Sequence, residues 1–501
     1  MVDPETIERA ADAPEADLDE IQAAPGADAP KSEQKKPWWN AFSRVPIEVW
    51  LLGILASITR FAQLGSPKAI VFDEIYFREY SLHYHVGTYY FDLHPPLGKL
   101  LIGLWGAIAG VDVDPMGKDP ATALRFLPAL AGVGLILVIY LMIRQLSGSR
   151  RVATLGAGLL LLDNAILAES RFTLIDSMLL FFGISAVTLS LAARRRSGKN
   201  YWYWLAAAAA LGGMSSTVKL TGLTALGLVG LIWLADVVHQ RRNWKPVLGQ
   251  LAVLAVVPAV IYLSTFAVHF ALLQRTGPGD AYMSTQFQAT LKGNANYSPE
   301  AKRSFFGKFH DLNSAMHGYE LSLNSSTHPY QSKWYSWPYM KRGVYQYVAP
   351  NGDGKNSYIY TLGNPFVWWG TLLGFVIVIG GWFARPARFK PVKWPLILLG
   401  TAYLASYLPF SLIVRPMFLY HYFFPLIFSL SFVVIGLGAL TGWINDGDRP
   451  FTKFSSRNSQ IGYWAVLGVA FAFFLYFAPI TYGFPLTDSG LEHRMWLHSW
   501  R

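Results

Sequence analysis

Apolar runs of about 20 residues recur along almost the whole chain, and a bilayer-crossing helix needs a run of that length. Such runs fold as membrane helices, because inside lipid only a helix or a closed barrel satisfies its own backbone polar groups. Eleven spans are expected, at 47–65, 124–143, 152–168, 172–192, 201–216, 219–238, 247–270, 365–384, 394–414, 417–441 and 461–480. A twelfth apolar run, 97–111, is short, carries Lys99 at its start and follows Pro95-Pro96. It reads as an amphipathic helix lying on the outer membrane surface. Charged residues make up only 15% of the chain, below the roughly 25% of soluble domains, which excludes an ordinary soluble enzyme. The fold class expected is therefore an all-α polytopic membrane protein.

Charge sets the orientation. With eleven spans and an inside N-terminus, five basic clusters fall in inner loops: Arg144/Arg150/Arg151, Arg194-Arg195-Arg196/Lys199, Arg241-Arg242/Lys245, Arg385/Arg388/Lys390/Lys393 and Arg449/Lys453/Arg457. Making 97–111 a span would turn every later cluster outward. The net charge of +11 thus reflects topology and carries no nucleic-acid role. Residues 1–36 are rich in Ala, Asp, Glu and Pro and are expected to be a disordered cytoplasmic tail, followed by one membrane domain over 37–501. No signal-peptide pattern precedes the first span, which is expected to act as the targeting signal. There is no cysteine, so disulfides and thiolate chemistry are excluded.

This topology gathers the unusual residues outside, in loop 66–123 and the large loop 271–364. Asp73 and Glu74 stand side by side just after the first span. Adjacent carboxylates at a membrane rim raise one another's pKa, and one of them is a candidate general base. Asp73, Asp92, His83, His85 and His94 also offer O and N donors, but their spacing matches no metal-binding template, and no metal is expected. Arg125, Arg171, Lys219 and Arg415 lie at the outer rim against the positive-inside trend. A shared anionic ligand, a phosphate at the headgroup plane, accounts for all four. The cluster Trp334-Tyr-Ser-Trp337 suits either an interfacial belt or a flat platform for a sugar or peptide.

Several segments together resemble the protein O-mannosyltransferase family, of the GT-C group of membrane glycosyltransferases. They are Phe72-Asp-Glu-Ile-Tyr-Phe77, the stretch from Gly87 to His94-Pro-Pro-Leu-Gly-Lys99, Ala123-Leu-Arg-Phe-Leu-Pro128, Leu167-Ala-Glu-Ser-Arg171, His328 through Trp337-Pro338, and Arg415-Pro-Met-Phe-Leu-Tyr-His-Tyr422. The resemblance implies a GT-C fold, a polyprenyl-phosphate mannose donor and a Ser or Thr hydroxyl acceptor on a translocating protein. It implies inversion at the anomeric carbon and no required metal or other cofactor. Asp73 would be the base with Glu74 beside it, Arg125 would match the family's essential arginine, and Glu169 would match the acidic residue of its Glu-Ser-Arg segment. His94, His328 and Trp337 lie in its substrate-side motifs. The large loop is too short for the inserted MIR domain of eukaryotic members, so a bacterial, actinobacterial-like member of the cell membrane is expected, with the secretion translocon as a candidate partner. Two alternatives stand beside it: a GT-C transferase moving another sugar, such as arabinose or aminoarabinose, to a lipid, and a polyprenyl-lipid transporter. The transporter reading predicts midplane charges and internal repeats, neither of which the sequence displays.

Overall fold

Long apolar stretches bounded by polar caps and glycines dictate the elements. The computed structural model describes residues 45–111, 122–240, 244–446 and 450–501, and the expected tail at 1–36 lies outside them. Residues Ile47–Arg501 form one unit. Its first half comprises α1 (Ile47–Phe61), α2 (Glu74–Val86), α3 (Leu97–Ile108), α4 (Phe126–Ser147), α5 (Arg150–Leu161), α6 (Asn164–Arg171), α7 (Asp176–Ala193), α8 (Gly198–Val218), α9 (Leu223–Gln240) and α10 (Trp244–Leu272). The large loop holds α11 (Thr285–Gln288), α12 (Phe305–Ser322) and the hairpin β1 (Val344–Pro350) and β2 (Asn356–Thr361). There follow α13 (Pro365–Ala384), α14 (Pro386–Phe389), α15 (Lys393–Tyr407), α16 (Phe423–Thr441), α17 (Arg457–Tyr482), β3 (Pro485–Leu486) and α18 (Asp488–Glu492).

Among the described residues, eight helical stretches are long and apolar enough to cross a membrane, or nine if the bent pair α5–α6 is one span. The expected count of eleven is not reached. The expected span 47–65 is the 15-residue α1. The expected span 201–216 lies in α8, whose polar ends, Gly198-Lys-Asn and Ser215-Ser-Thr, dilute its hydropathy. The span expected at 152–168 is broken by 62° between α5 and α6. Asp163 sits at that break, capping α6 through Ile166 N (2.9 Å) and accepting from Trp368 Nε1 (2.7 Å).

The expected break between α8 and α9 is present. Lys219 is extended there, and a 3-10 turn, Leu220–Gly222, precedes α9. Gly222 is obligatory, because a Cβ would lie 2.3 Å from the backbone carbon of Ser215. α3 is a short apolar helix of 12 residues, about 18 Å long and too short to cross a bilayer. Its glycines press on α2: a Cβ on Gly103 would lie 2.7 Å from the Ser81 carbonyl, while Leu104 and Ile108 remain exposed.

The core lies along α4, α7 and α16, and α16 is apolar on all sides because it is buried on all sides. An antiparallel sheet of order β1-β2-β3 has no counterpart in the all-α expectation: β1 and β2 form a hairpin in the large loop that turns through Gly352 and Gly354 at positive φ, and β3 joins it from beyond α17. β2 packs on α6 and α17. A second cluster, built on Tyr84, Tyr89, Phe270, Phe287 and Leu312, fastens α12 and the start of the loop to α2 and α10. Gly277 and Gly279 bring that loop against the backbone of Tyr89 and Tyr90, at 2.2 and 2.3 Å for a notional Cβ.

Candidate active site

Asp73 is the N-cap residue of α2, yet its carboxylate does not cap the helix. It lines a cavity of about 500 Å³ together with Tyr76, Phe77, Glu79, Tyr80, Tyr90, Phe91, Asp92, Leu93, His94, Pro278, Tyr282, Tyr319 and Leu323. Burial pushes the Asp73 carboxyl up to about 6. Lys219 opposes the rise, and Asp176 and Asp92 add to it. A carboxylate titrating there is ionised at neutral pH while remaining basic enough to take a proton.

A second cavity, of about 530 Å³, lies on the other side of Leu93 and His94, which line both. Lys219, Arg415, Thr221, Tyr262, Asn313, His317 and Glu320 line this one. Lys219 pairs with Asp176 Oδ1 at 3.0 Å and lies 5.0 Å from the Tyr420 ring centroid. Arg415 Nε donates to Glu320 at 2.5 Å. His94 stacks on Phe77 at 6.3 Å, and its carbonyl accepts from Lys99 Nζ at 2.6 Å. Burial, followed by Lys219, Lys99 and Arg415, holds the His94 imidazole well below its usual range, hence neutral.

Other expected site residues have different surroundings. Glu74 is buried and receives a two-pronged bond from Arg125, Nε to Oε1 at 2.8 Å and Nη2 to Oε2 at 2.7 Å. It also accepts from the amides of Val71 and Thr173. Arg125 directs its remaining donors at the carbonyls of Leu64, Pro67 and Ala69, so all five of its N–H groups are satisfied within the protein. The pair therefore braces the loop that presents Asp73, and Arg125 is fully buried. Arg171 donates to the carbonyls of Thr59, Arg60, Ala62 and Gln63 at the end of α1 and lies 4.3 Å from the Tyr482 ring centroid. It is a helix cap, and of the four cations expected to share one anion the structure brings two, Lys219 and Arg415, to the lining of one cavity.

Glu169 is buried and accepts from Gln346 Nε2 at 2.8 Å and Thr361 Oγ1 at 2.5 Å, tying α6 to the sheet. Trp337 is fully buried, donates to Ser332 Oγ at 2.9 Å and stacks on His421 at 5.9 Å. That makes it a core anchor, not a sugar platform. His328 caps its own turn through the Tyr330 amide and lies edge-on to Phe418.

The alternative metal set does not converge. His83 meets Thr88 and Glu79, His85 meets the Gly103 carbonyl, and Asp92 meets Lys99. Among the described residues no three His, Asp or Glu side chains group to hold an ion. Sequence reasoning missed Asp176, the partner of Lys219. A carboxylate opening an otherwise apolar 18-residue helix is costly in a membrane, and that cost was the available signal. Glu320 and the tyrosine wall of the first cavity were also missed, since tyrosines at a membrane rim look generic.

Two family models match the chain. Residues 50–274 match dolichyl-phosphate-mannose-protein mannosyltransferase, and residues 305–500 match the C-terminal four TMM region of protein-O-mannosyltransferase. Protein O-mannosyltransferase 1 of Drosophila melanogaster is 36% identical over 273 residues, covering 50% of this chain and 30% of the fly protein. Dolichyl-phosphate-mannose--protein mannosyltransferase 1 of Candida albicans is 33% identical over 270 residues, covering 49% and 31%. The chain thus spans about a third of the length of these curated relatives. A solved structure of the S. cerevisiae protein O-mannosyltransferase Pmt1-Pmt2 complex bound to the sugar donor superposes with a TM-score of 0.79 at 19% identity, covering 91% of this chain and 92% of that one. The fold is that of a multi-pass GT-C membrane glycosyltransferase. Within that class, the chain belongs to the protein O-mannosyltransferase family.

Proposed function

We propose that the protein transfers mannose from a polyprenyl-phosphate mannose to Ser or Thr hydroxyls of a protein substrate, with inversion. One observation carries the reading: a half-buried carboxylate titrating near 6 and a pair of cations flank two cavities that share a single dividing edge, Leu93–His94. The acceptor hydroxyl lies in the first cavity and the donor phosphate in the second. Asp73 takes the hydroxyl proton as the oxygen attacks the anomeric carbon. The bond from that carbon to the phosphate oxygen breaks, and the polyprenyl phosphate leaves with the electron pair. Lys219 and Arg415 stabilise its growing charge. A single displacement of this kind needs a base and no protein nucleophile. Glu74 and Arg125 fix the loop carrying Asp73, and Glu169 fixes the adjoining sheet.

The site faces outward from the cell membrane in this reading, with a cytoplasmic tail at 1–36 and the catalytic unit at 37–501. Support comes from α7, which begins at Asp176 beside Lys219 and ends about 27 Å away at Arg194. There Arg194 pairs with Asp236, and Arg195 donates to the Gln145 carbonyl. Basic residues thus crowd the end remote from the site, as cytoplasmic residues do. Proteins crossing the membrane through the translocon are the acceptors that such an orientation meets.

Asp73→Asn tests the reading. With labelled polyprenyl-phosphate mannose and a Thr peptide, kcat is expected to fall about 100- to 10,000-fold in a protein that remains folded. Turnover at the wild-type rate would remove Asp73 as the base.

A further inference from the structure

The two cavities differ in charge. Lys219 and Arg415 line the one assigned above to the donor phosphate. Among the described residues that line the first cavity there is no Lys or Arg, and Asp73, Glu79 and Asp92 are present. Lys99 compensates Asp92 from behind. Glu79 is different: its side chain is 48% exposed, and among the described residues its ionic partner is the ring of His83, at 3.4 Å. Burial lowers the pKa of that ring, with Glu79 opposing, so near neutral pH the imidazole leaves the Glu79 charge largely standing.

Aromatic faces stand beside this carboxylate. Tyr80 stacks on Tyr90 at 4.6 Å, and Tyr76 stacks on Tyr80 at 6.3 Å. The Tyr90 ring already has a cation near it, with Lys99 Nζ 5.9 Å from its centroid. An exposed carboxylate beside tyrosine faces attracts an ammonium or guanidinium group through both charge and ring quadrupole.

We propose that the acceptor cavity selects polypeptide segments carrying a Lys or Arg near the modified hydroxyl, with Glu79 and the Tyr76–Tyr80–Tyr90 wall as the specificity determinants. This rests on the transferase reading above. The geometry also sets the spacing. Glu79 lies six residues along α2 from Asp73, an axial rise of about 9 Å. An extended peptide advances about 3.3 Å per residue, so the cation belongs about three positions from the acceptor residue.

Peptides with one Thr, and with Lys, norleucine or Glu three positions to either side, test the assignment on the full-length membrane protein. KM for the Lys peptide is expected to be about tenfold below that for the Glu peptide on one of the two sides, with norleucine between them. In Glu79→Gln the gap between Lys and norleucine should shrink severalfold. Equal KM values for all three peptides on both sides, with turnover intact, overturn the selectivity and leave the transferase reading standing. A Lys preference undiminished in Glu79→Gln removes Glu79 from it. No turnover of any peptide by the wild-type protein overturns the transferase reading and this inference together.

Discussion

Asp73 places catalysis and stability in opposition. Its pKa in the fold, about 6, lies above the value near 3.9 of an exposed aspartate. Transfer should therefore rise with pH through an apparent pKa of about 6 and level off above it, as a pH profile of kcat/KM will reveal. The folded state holds this proton more tightly than the unfolded chain, so ionisation opposes folding. That cost is absent below about pH 4, grows between about 4 and 6, and is complete above. Asp73→Asn should accordingly melt above the wild type at pH 7.5 in detergent, with the gap closing at pH 4. Arg125 behaves differently. Removing it leaves the Glu74 carboxylate buried without its ionic partner, so Arg125→Ala should lose about 3–5 kcal/mol in denaturant unfolding. Sequence marked Arg125 and Arg171 as unusual cations, expected at the outer rim. It could not reveal that carbonyls, and for Arg125 also Glu74, take up most of their donors, because residue type says nothing about which hydrogen bonds are filled.

At the scale of elements, breaks in helices position the site more than helices do. Lys219 reaches Asp176 because the chain is extended between α8 and the 3-10 turn before α9, and that turn closes against Ser215 only with glycine at 222. Gly222→Ala forces rigid backbone apart, and should cost about 1–3 kcal/mol in unfolding and lower turnover by shifting Lys219. The break was readable from Ser215-Ser-Thr-Val-Lys219, since one unbroken helix over 201–238 would be too long for a bilayer. The kink at Asp163 was not readable, because the polar residues that fix it, Asn364 and Trp368, lie some 200 positions away. The β1–β2 hairpin was missed for a related reason. Val344–Pro350 and Asn356–Thr361 are short, and aromatic residues in an outer loop also suit an interfacial belt.

For the whole molecule, the absence of cysteine makes sidedness directly measurable. Single cysteines at Asp353, at the exposed hairpin tip, and at Lys199, exposed in the first turn of α8, report the two ends of the bundle. In intact cells an impermeant maleimide should label Asp353→Cys and leave Lys199→Cys unlabelled until the membrane is opened. The reverse pattern would invert the topology. A chelator should leave turnover of purified protein unchanged, and loss restored by one divalent ion would revive a metal role for the loop 66–123.

The edge formed by Leu93 and His94 is only two residues wide, yet each borders both chambers. Resculpting either chamber for a new sugar or a new peptide therefore disturbs its neighbour through the same thin ridge. An engineer altering this protein has to redesign the two pockets together.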